Sequence, residues 1–264
     1  MEILFQFVLP ATLVAFLVMV LFWYWGRSRD NYAVIDVGWG IVISSILWVY
    51  YLAKNGFSFE ITSFTLTILV QLWAMRLSLF LYLTRILPRH AEDKRYTSFR
   101  KDYGDKVHQK FFTNVFLFQG FLALILTSPL LVAYIGEDNS LSWFSAVGLA
   151  LFFFGELGES LADQQLSKFK QDPSNQGKVC NKGLWKYSRH PNYFFEWVIW
   201  LGISVFALNF SWIGILPAIF MYVLLVYVTG VPYAEKFSLL SKPIAYVEYQ
   251  NSTSPFFPWF PRKK

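Results

Sequence analysis

The segment from Gly183 to Trp197 carries the densest set of side chains that could do chemistry, and it reads GLWKYSRHPNYFFEW. Pro191 suits the first turn of a helix, where its missing N–H is not needed. Arg189 and His190 would then lie at the positive end of a helix dipole, where anions bind readily. With Tyr187 close by, the spacing predicts an anion-binding site at the start of this helix.

Two polar residues of the same segment share one face of the predicted helix. Asn192 and Glu196 are four positions apart, so their side chains point the same way. An interfacial belt of aromatic residues and snorkelling cations is the structural alternative for this segment. A belt does not need an amide and a carboxylate directed into the protein, so the pair favours a functional site.

Charged residues also occur inside long apolar runs, where each costs about 2.5–3.5 kcal/mol at the centre of a membrane helix. They are Asp36, Arg76, Glu156, Glu159 and Asp163. The last three are separated by three and four positions, which predicts one helix face turned away from lipid. A buried ion network that holds helices together is the structural alternative to a functional role.

Several other kinds of site are not supported by the sequence. His90, His108 and His190 are far apart and show no zinc-ligand spacing, and Cys180 is the single cysteine. No Gly-x-Ser-x-Gly elbow, phosphate-cradling glycine loop or Gly-x-Gly-x-x-Gly fingerprint is present. We therefore predict no metal site, and any nucleotide must bind among helix ends and basic loops.

The elements that must position these residues are membrane-spanning helices. Of 264 residues, 55% are hydrophobic and 15% charged, whereas soluble domains carry about 25% charged residues. A spanning helix needs about 20 apolar residues. The sequence predicts an all-α integral membrane bundle of seven transmembrane helices that forms one domain, residues 1–264, with six spans as the alternative if the last two form one re-entrant unit. The predicted spans are 3–25 and about 33–52, 61–87, 112–135, 141–166, 193–208 and 212–229.

Basic residues fix the predicted orientation. Nearly all of the 23 Lys and Arg residues lie in 27–29, 89–110, 168–189 and 236–264, whereas Lys54 lies in a loop of the opposite side. Because cytoplasmic loops concentrate Lys and Arg, the N-terminus is predicted outside and the C-terminus in the cytoplasm. The membrane would be the bacterial inner membrane, or the endoplasmic reticulum in a eukaryote. The net charge of +6 fits anionic lipid head groups or a phosphate-bearing cofactor, and it does not predict nucleic-acid binding.

A series of motifs follows in a fixed order: DVGWG at 36–40, RLS at 76–78, EDKRY at 92–96, ESLADQQL at 159–166, GLW at 183–185, YSRHPNY at 187–193 with Glu196, and FFPWFP at 256–261. Together they resemble the steroid 5-alpha-reductase family, and in particular its poorly characterised, largely bacterial branch. The likeness covers most of the chain and agrees with seven spans.

The resemblance implies an NADPH-dependent membrane reductase, which acts on the carbon–carbon double bond of an apolar, steroid- or lipid-like enone. By position, Asn192 and Glu196 match residues that contact the nicotinamide half, and Asp163 matches a cofactor-binding acid. Lys170 falls where the family has a basic residue suited to phosphate. The predicted NADPH-binding set is Arg76, Arg85, Arg95, Glu159, Asp163, Lys170, Tyr187, Arg189, His190 and Asn192.

The chain also departs from the characterised steroid enzymes. Trp73 stands where those enzymes have a tyrosine that polarises the ketone, and tryptophan cannot donate a proton in that way. Asp36 or Tyr193 could take the place of that tyrosine, and a preorganised donor contributes about 3–4 kcal/mol at the developing oxyanion. Asp36, Tyr193 and Glu196 are therefore the predicted catalytic residues.

Two other functions stay open at this point. The RHPNY string at 189–193 also resembles isoprenylcysteine carboxyl methyltransferases and phospholipid methyltransferases, which use S-adenosylmethionine. Those enzymes usually have a small residue where this chain has Phe195, and they tend to have fewer spans. A non-enzymatic transporter is the third possibility, but a transporter places polar residues near the midplane and on both sides. Here the polar residues crowd towards one side.

Overall fold

The computed structural model describes residues 1–87, 92–136 and 141–262. These residues form long helices joined by turns, together with an isolated parallel β-bridge between Ser188 and Ser254. The predicted all-α class is confirmed for the described residues. The helices are α1 (Leu4–Ser28), α2 (Val34–Asn55), α3 (Ile61–Ile86), α4 (Lys94–Ile135), α5 (Trp143–Gln171), α6 (Pro191–Ala207), α7 (Trp212–Ser241) and α8 (Pro243–Ser252).

In the described part of the chain, six helices are long and apolar enough to cross a membrane, namely α1 to α5 and α7. Their length and composition indicate a multi-pass membrane protein. The predicted sixth span corresponds to α6, which has 17 residues. At 1.5 Å per residue α6 rises about 25 Å, which is less than the roughly 30 Å hydrocarbon core. Seven spans and the orientation stay predictions.

Two helices extend well beyond the predicted spans. The polar stretch Lys94–Tyr103 forms the first part of α4, because the side chain of Asp93 caps it by accepting from the N–H of Arg95 at 2.9 Å. The second extension carries α7 to Ser241, and α8 follows it directly. Neither extension carries the apolar run that predicts a span, which is why the sequence pattern did not reveal them.

The chain divides into two compact units. The first consists of Met1–Ser142 and Ala207–Gly214, and the second of Trp143–Phe206 and Ile215–Lys264. The prediction of one domain stays a prediction, and the units are described separately below.

The centre of the first unit is α2, which packs against both α1 and α3. A Cβ atom on Gly38 would lie 2.9 Å from the Phe22 ring, and one on Gly40 would lie 2.8 Å from Oγ of Ser78. That serine also donates a 2.9 Å hydrogen bond to the carbonyl of Val37. The DVGWG and RLS motifs are therefore in contact, and their small residues hold the beginning of α2 close to its neighbours.

The second unit is built on close packing between α5 and α6. A Cβ atom on Gly155 would lie 2.7 Å from the backbone N of Ile199, and one on Gly202 would lie 2.5 Å from that of Phe152. Glycine at these positions lets the two backbones touch. The buried stripe of α5 consists of Ser145, Gly148, Phe152, Gly155, Glu159, Ala162 and Asp163.

Candidate functional site

The predicted site residues fall into both units. The first unit holds Asp36, Arg76, Arg85 and Arg95, and it also buries Trp73 completely. The second unit holds Glu159, Asp163, Lys170, Tyr187, Arg189, His190, Asn192, Tyr193 and Glu196.

In the first unit, Asp36 is the centre of a charged cluster. Its Oδ2 accepts hydrogen bonds from Nη1 of Arg85 and Nη2 of Arg95, each at 2.7 Å. Its Oδ1 accepts a 2.6 Å hydrogen bond from the hydroxyl of Tyr96. Three predicted site residues therefore meet here, and Tyr96 joins them although sequence reasoning gave it no role. Its place in the EDKRY motif was the available signal.

Asp93 supplies a second carboxylate to this cluster. Its Oδ1 lies 3.0 Å from Nε of Arg95, and its Oδ2 lies 3.7 Å from Nη1 of Arg85. Burial favours a raised pKa for Asp93, but Arg95 and Arg85 outweigh burial and hold that pKa below its ordinary value. Two carboxylates thus face two guanidinium groups, so an incoming phosphate would have to compete with Asp36 and Asp93 for these arginines.

A neighbouring network ties the first part of α4 to the residues before α2. Arg100 pairs with Glu92 at 2.5 Å and with Asp30 at 2.9 Å. The carboxylate of Glu92 also accepts from the backbone N–H of Tyr32 at 2.6 Å. The Tyr32 hydroxyl forms a 2.5 Å hydrogen bond with Nδ1 of His108. These bonds hold α4 in place and so position Arg95 and Tyr96.

In the second unit, the acidic residues of α5 and α6 are buried. Glu159 is 4% exposed, Asp163 8% and Glu196 6%, so none of them faces lipid. This agrees with the face predicted from their spacing, and Glu156 is half-buried. Trp200 donates a 3.2 Å hydrogen bond to Oε1 of Glu196. Buried carboxylates need such partners because an isolated charge is costly in a dry environment.

The first turn of α6 carries Asn192 and Tyr193, and His190 directly precedes it. The imidazole of His190 stacks on the Tyr193 ring, with centroids 5.4 Å apart and planes 9° from parallel. Burial lowers the pKa of His190 below its ordinary value, although a hydrogen bond to Glu235 opposes the shift. Oδ1 of Asn192 is buried and accepts no hydrogen bond from any described residue. The turn therefore presents a neutral imidazole and an unsatisfied amide carbonyl.

Two members of the predicted cofactor-binding set, Arg189 and Tyr187, contact the C-terminal part of the chain. Arg189 is buried, and its guanidinium bonds to the carboxylate of Glu235. The carbonyl of Tyr187 accepts a 2.9 Å hydrogen bond from the N–H of Trp259. Sequence reasoning missed Glu235, whose available signal was an acidic residue next to Lys236 in a segment with few acids.

A cavity of about 420 Å³ lies at the C-terminal end of α5. Drug-sized ligands occupy pockets of about 300–1,000 Å³. Lys170 and Lys242 give this cavity cationic groups, and Lys170 is the predicted phosphate ligand. The lining residues are Leu166, Phe169, Lys170, Gln171, Asp172, Pro173, Asn175, Gln176, Gly177, Cys180 and Lys242.

No group of three or more His, Cys, Asp or Glu that could hold a metal ion comes together among the residues that the structure describes. His90 lies outside those residues, as do parts of the basic segments 89–110 and 236–264.

Comparison with known proteins assigns the chain to a family. The model of a family described as "Protein of unknown function (DUF1295)" matches residues 22–253. The chain belongs to DUF1295. A similar protein is the "Uncharacterized protein C594.04c" of Schizosaccharomyces pombe, which is 28% identical over 271 residues, or 89% of this chain and 75% of that protein. No solved structure matches the chain significantly. The matched range contains every predicted site residue, so both clusters lie in the DUF1295 region.

Proposed function

We propose that this DUF1295 protein is a membrane-embedded reductase, which uses NADPH to reduce the carbon–carbon double bond of an apolar, steroid- or lipid-like enone. Its motifs resemble the steroid 5-alpha-reductase family, and its multi-pass helices suit a substrate taken from the bilayer. The proposal includes seven spans, an outer N-terminus and a cytoplasmic C-terminus, in a bacterial inner membrane or the endoplasmic reticulum.

The observation that carries the proposal is the unsatisfied side-chain carbonyl of Asn192 at the start of α6. Oδ1 of Asn192 is buried without a donor among the described residues. An unsatisfied buried acceptor costs about 1–3 kcal/mol, so a ligand that supplies an N–H would recover that free energy. The nicotinamide carboxamide has such an N–H, and Asn192 is the residue that the resemblance places against this half of the cofactor.

The polar face of α5 supports a cofactor that extends from there towards the cytoplasm. Asp163 and Lys170 are seven positions apart, which puts them on one helix face about 10 Å apart. Lys170 lines the cavity at the end of the helix together with Lys242. A buried acid can accept a hydrogen bond from a ribose hydroxyl, and a cationic cavity suits the phosphates, so the two groups follow each other along α5 as ribose and phosphate do in a dinucleotide.

Other side chains would take the remaining roles in the reduction. When bound, NADPH supplies the hydride for the β-carbon of the enone. Tyr193 stacks its ring on the buried His190, and its phenol is a hydrogen-bond donor that can serve the carbonyl oxygen. Asp36 already accepts three hydrogen bonds, which favours Tyr193 over Asp36 as the donor. Glu159, Asp163 and Glu196 are buried, so their side chains have little contact with water.

Ligand binding tests the proposal directly. Purified protein in nanodiscs should be stabilised by NADPH and not by S-adenosylmethionine, because a ligand that binds only the folded state raises Tm. Asn192→Ala should remove most of that shift, whereas Asn251→Ala, an exposed asparagine in α8, should keep it. Stabilisation by S-adenosylmethionine alone would favour the methyltransferase, and no response to either ligand by folded protein would count against both enzymes.

Cys180 offers a readout that does not require turnover. It is the single cysteine of the chain, and it lines the cavity with Lys170. Burial raises the pKa of its thiol, so alkylation by N-ethylmaleimide should be slow enough to time. NADPH should slow it further, and Lys170→Ala should weaken this protection while Lys168→Ala should not. Equal alkylation rates with and without NADPH would place the nucleotide elsewhere.

A further inference from the structure

The C-terminal segment, residues 253–262, runs alongside the turn that precedes α6. The N–H of Arg189 donates to the carbonyl of Ser254 at 2.8 Å, and Oγ of Ser188 donates to the carbonyl of Phe256 at 2.8 Å. The Tyr187 carbonyl, as described above, accepts from the same segment. Three successive residues of the turn are therefore bonded to the C-terminal segment, and Ser188 and Ser254 also form the isolated β-bridge.

Arg189 directs its guanidinium back into the protein. Nε and Nη2 each lie 2.7 Å from Oε1 of Glu235. Nη1 donates to the carbonyls of Thr253 at 2.5 Å and Gln250 at 3.1 Å. Because a guanidinium has five N–H donors, at most one is left for a phosphate. The side chain is also only 9% exposed, so a ligand would have little access to it.

Glu235 connects three parts of the second unit. Besides Arg189, it accepts a 2.9 Å hydrogen bond from Nε2 of Gln250 in α8. Its Oε1 lies 3.4 Å from Nε2 of His190, the residue directly before α6. The backbone N–H of His190 is itself held by Oγ of Ser188 at 3.1 Å. One carboxylate of α7 thus contacts α8 and both residues that lead into α6.

We propose that Arg189 and Glu235 are positioning residues, which use the C-terminal segment to hold the first turn of α6 in place. The inference rests on the proposed function, since the first turn carries Asn192 and directly follows His190. The first N–H groups of a helix have no partner within it, so the start of a helix needs outside support. A displacement of about 1 Å at a reactive site can cost about 100-fold in rate.

This role differs from the phosphate contact that the sequence predicts for Arg189. If Arg189 held a phosphate, its substitution would weaken nucleotide binding and Glu235→Gln would not imitate it. If the pair positions the first turn, Arg189→Lys and Glu235→Gln should have the same effect. Both should lower kcat and weaken NADPH binding to the same extent, because Asn192 moves with the turn in either variant.

The test combines hydrogen exchange with kinetics on the full chain in nanodiscs. Arg189→Lys, Glu235→Gln and the double variant are compared with Glu248→Gln, an acid of α8 with an exposed side chain. Exchange at the amides of residues 187–194 should be about tenfold faster in both single variants, which corresponds to about 1.4 kcal/mol of lost local stability. The double variant should be no faster than the worse single variant, since both remove one interaction.

Two outcomes would overturn the positioning role. One is wild-type exchange at residues 187–194 in Glu235→Gln, and the other is fast exchange with unchanged kcat. If Glu235→Gln does not fold, Glu235→Asp takes its place. This variant keeps the charge on a shorter side chain and should give the same results. A wild-type protein that fails to bind NADPH would overturn the proposed function instead, and the exchange rates would still decide whether the pair holds this turn.

Discussion

The hydroxyl of Tyr96 donates a 2.6 Å hydrogen bond to Oδ1 of Asp36, across 60 positions of the chain. The other carboxylate oxygen of Asp36 accepts from Arg85 and Arg95. One side chain at the start of α2 thereby joins the end of α3 and the start of α4. These hydrogen bonds join residues far apart in sequence and involve charged groups. Removing them should therefore lower the free energy of unfolding measurably.

Replacing Tyr96 by Phe should lower the free energy of unfolding by about 1.5–3 kcal/mol, the contribution of a hydrogen bond to a charged group. Asp36→Asn should cost at least as much, because it leaves Arg85 and Arg95 facing only Asp93. Thermal scans in detergent measure both. Tyr24→Phe is the matched control, since Tyr24 is 68% exposed on α1 and should change stability by less than about 0.5 kcal/mol. A Tyr96→Phe protein as stable as wild type would show that the bond contributes nothing.

His190 should make the stability of the second unit depend on pH. Burial lowers its pKa below 6.5, the ordinary value. Below pH 6.5 the unfolded chain therefore takes up a proton that the folded chain does not, so the free energy of unfolding falls as the pH falls. The slope is at most about 1.4 kcal/mol per pH unit, and it ends once the pH passes the folded pKa. Above pH 6.5 this group contributes no slope.

The measurement compares wild type with His190→Gln from pH 5 to 8 by thermal scans. Glu235 is present in both proteins, and its pKa is lowered to about 2, so its carboxylate stays charged in the folded protein from pH 5 to 8. The free energy of unfolding of wild type minus that of His190→Gln should be constant above about pH 6.5. Below that pH it should fall as the pH falls, because only wild type loses stability through His190. A difference that is constant over the whole range would mean that burial does not shift this histidine.

The glycines of α5 should tolerate substitution less well than a glycine of similar burial in α4. A Cβ on Gly155 would meet the backbone N of Ile199 at 2.7 Å, which cannot move without separating two helices. A Cβ on Gly120 would meet Cγ of Met19, part of a flexible side chain, at 3.0 Å and the carbonyl of Ala15 at 3.9 Å, an ordinary contact distance. Gly155→Ala should destabilise by about 1–3 kcal/mol. Gly120→Ala should be neutral or gain up to about 1 kcal/mol from helix propensity.

Thermal scans in detergent report both glycine variants under the same conditions. Equal effects of Gly155→Ala and Gly120→Ala would contradict backbone contact between α5 and α6. Gly202→Ala provides a check from the other helix, since its Cβ would lie 2.5 Å from the N of Phe152. It should resemble Gly155→Ala in direction and size, because both substitutions separate the same pair of helices.

Patterns that depend on near neighbours in sequence were predictable. Apolar runs identified the long helices, because helix length and composition follow directly from the bilayer as solvent. The spacing of Glu159 and Asp163 predicted one buried face, because a helix repeats every 3.6 residues. The polar start of α4 and the short α8 were missed, since one lacks apolar residues and the other is only ten residues long.

Partners that lie far apart in sequence were not predictable. Arg189 was expected to bind a cofactor because it stands at a helix start, yet the structure pairs it with Glu235, 46 positions later. Asp36 was expected to act as an acid, yet it accepts hydrogen bonds from residues of α3 and α4. Local spacing shows which residues share a face, but only the fold determines which faces meet.

The membrane topology depends on whether α6 crosses the bilayer. Its 17 residues fall short of the hydrocarbon thickness by about 5 Å, which a locally thinned bilayer can accommodate. If α6 did not cross, α7 would carry the basic residues Lys236, Lys242 and Arg262 to the outer side. Because cytoplasmic segments concentrate such residues, charge favours a crossing, and the proposed topology would put residues 208–211 outside.

Single cysteines in a Cys180→Ser background test this crossing with a membrane-impermeant maleimide on intact cells or sealed vesicles. Trp212→Cys, at a position that is 74% exposed, should react from the outer side together with Ser58→Cys, the outer control. Lys101→Cys, in a basic segment that is cytoplasmic in the proposed topology, should react only after the membrane is permeabilised. Protection of Trp212→Cys while Ser58→Cys reacts would mean that α6 turns back, and the proposed seven-span topology would have to be replaced by six.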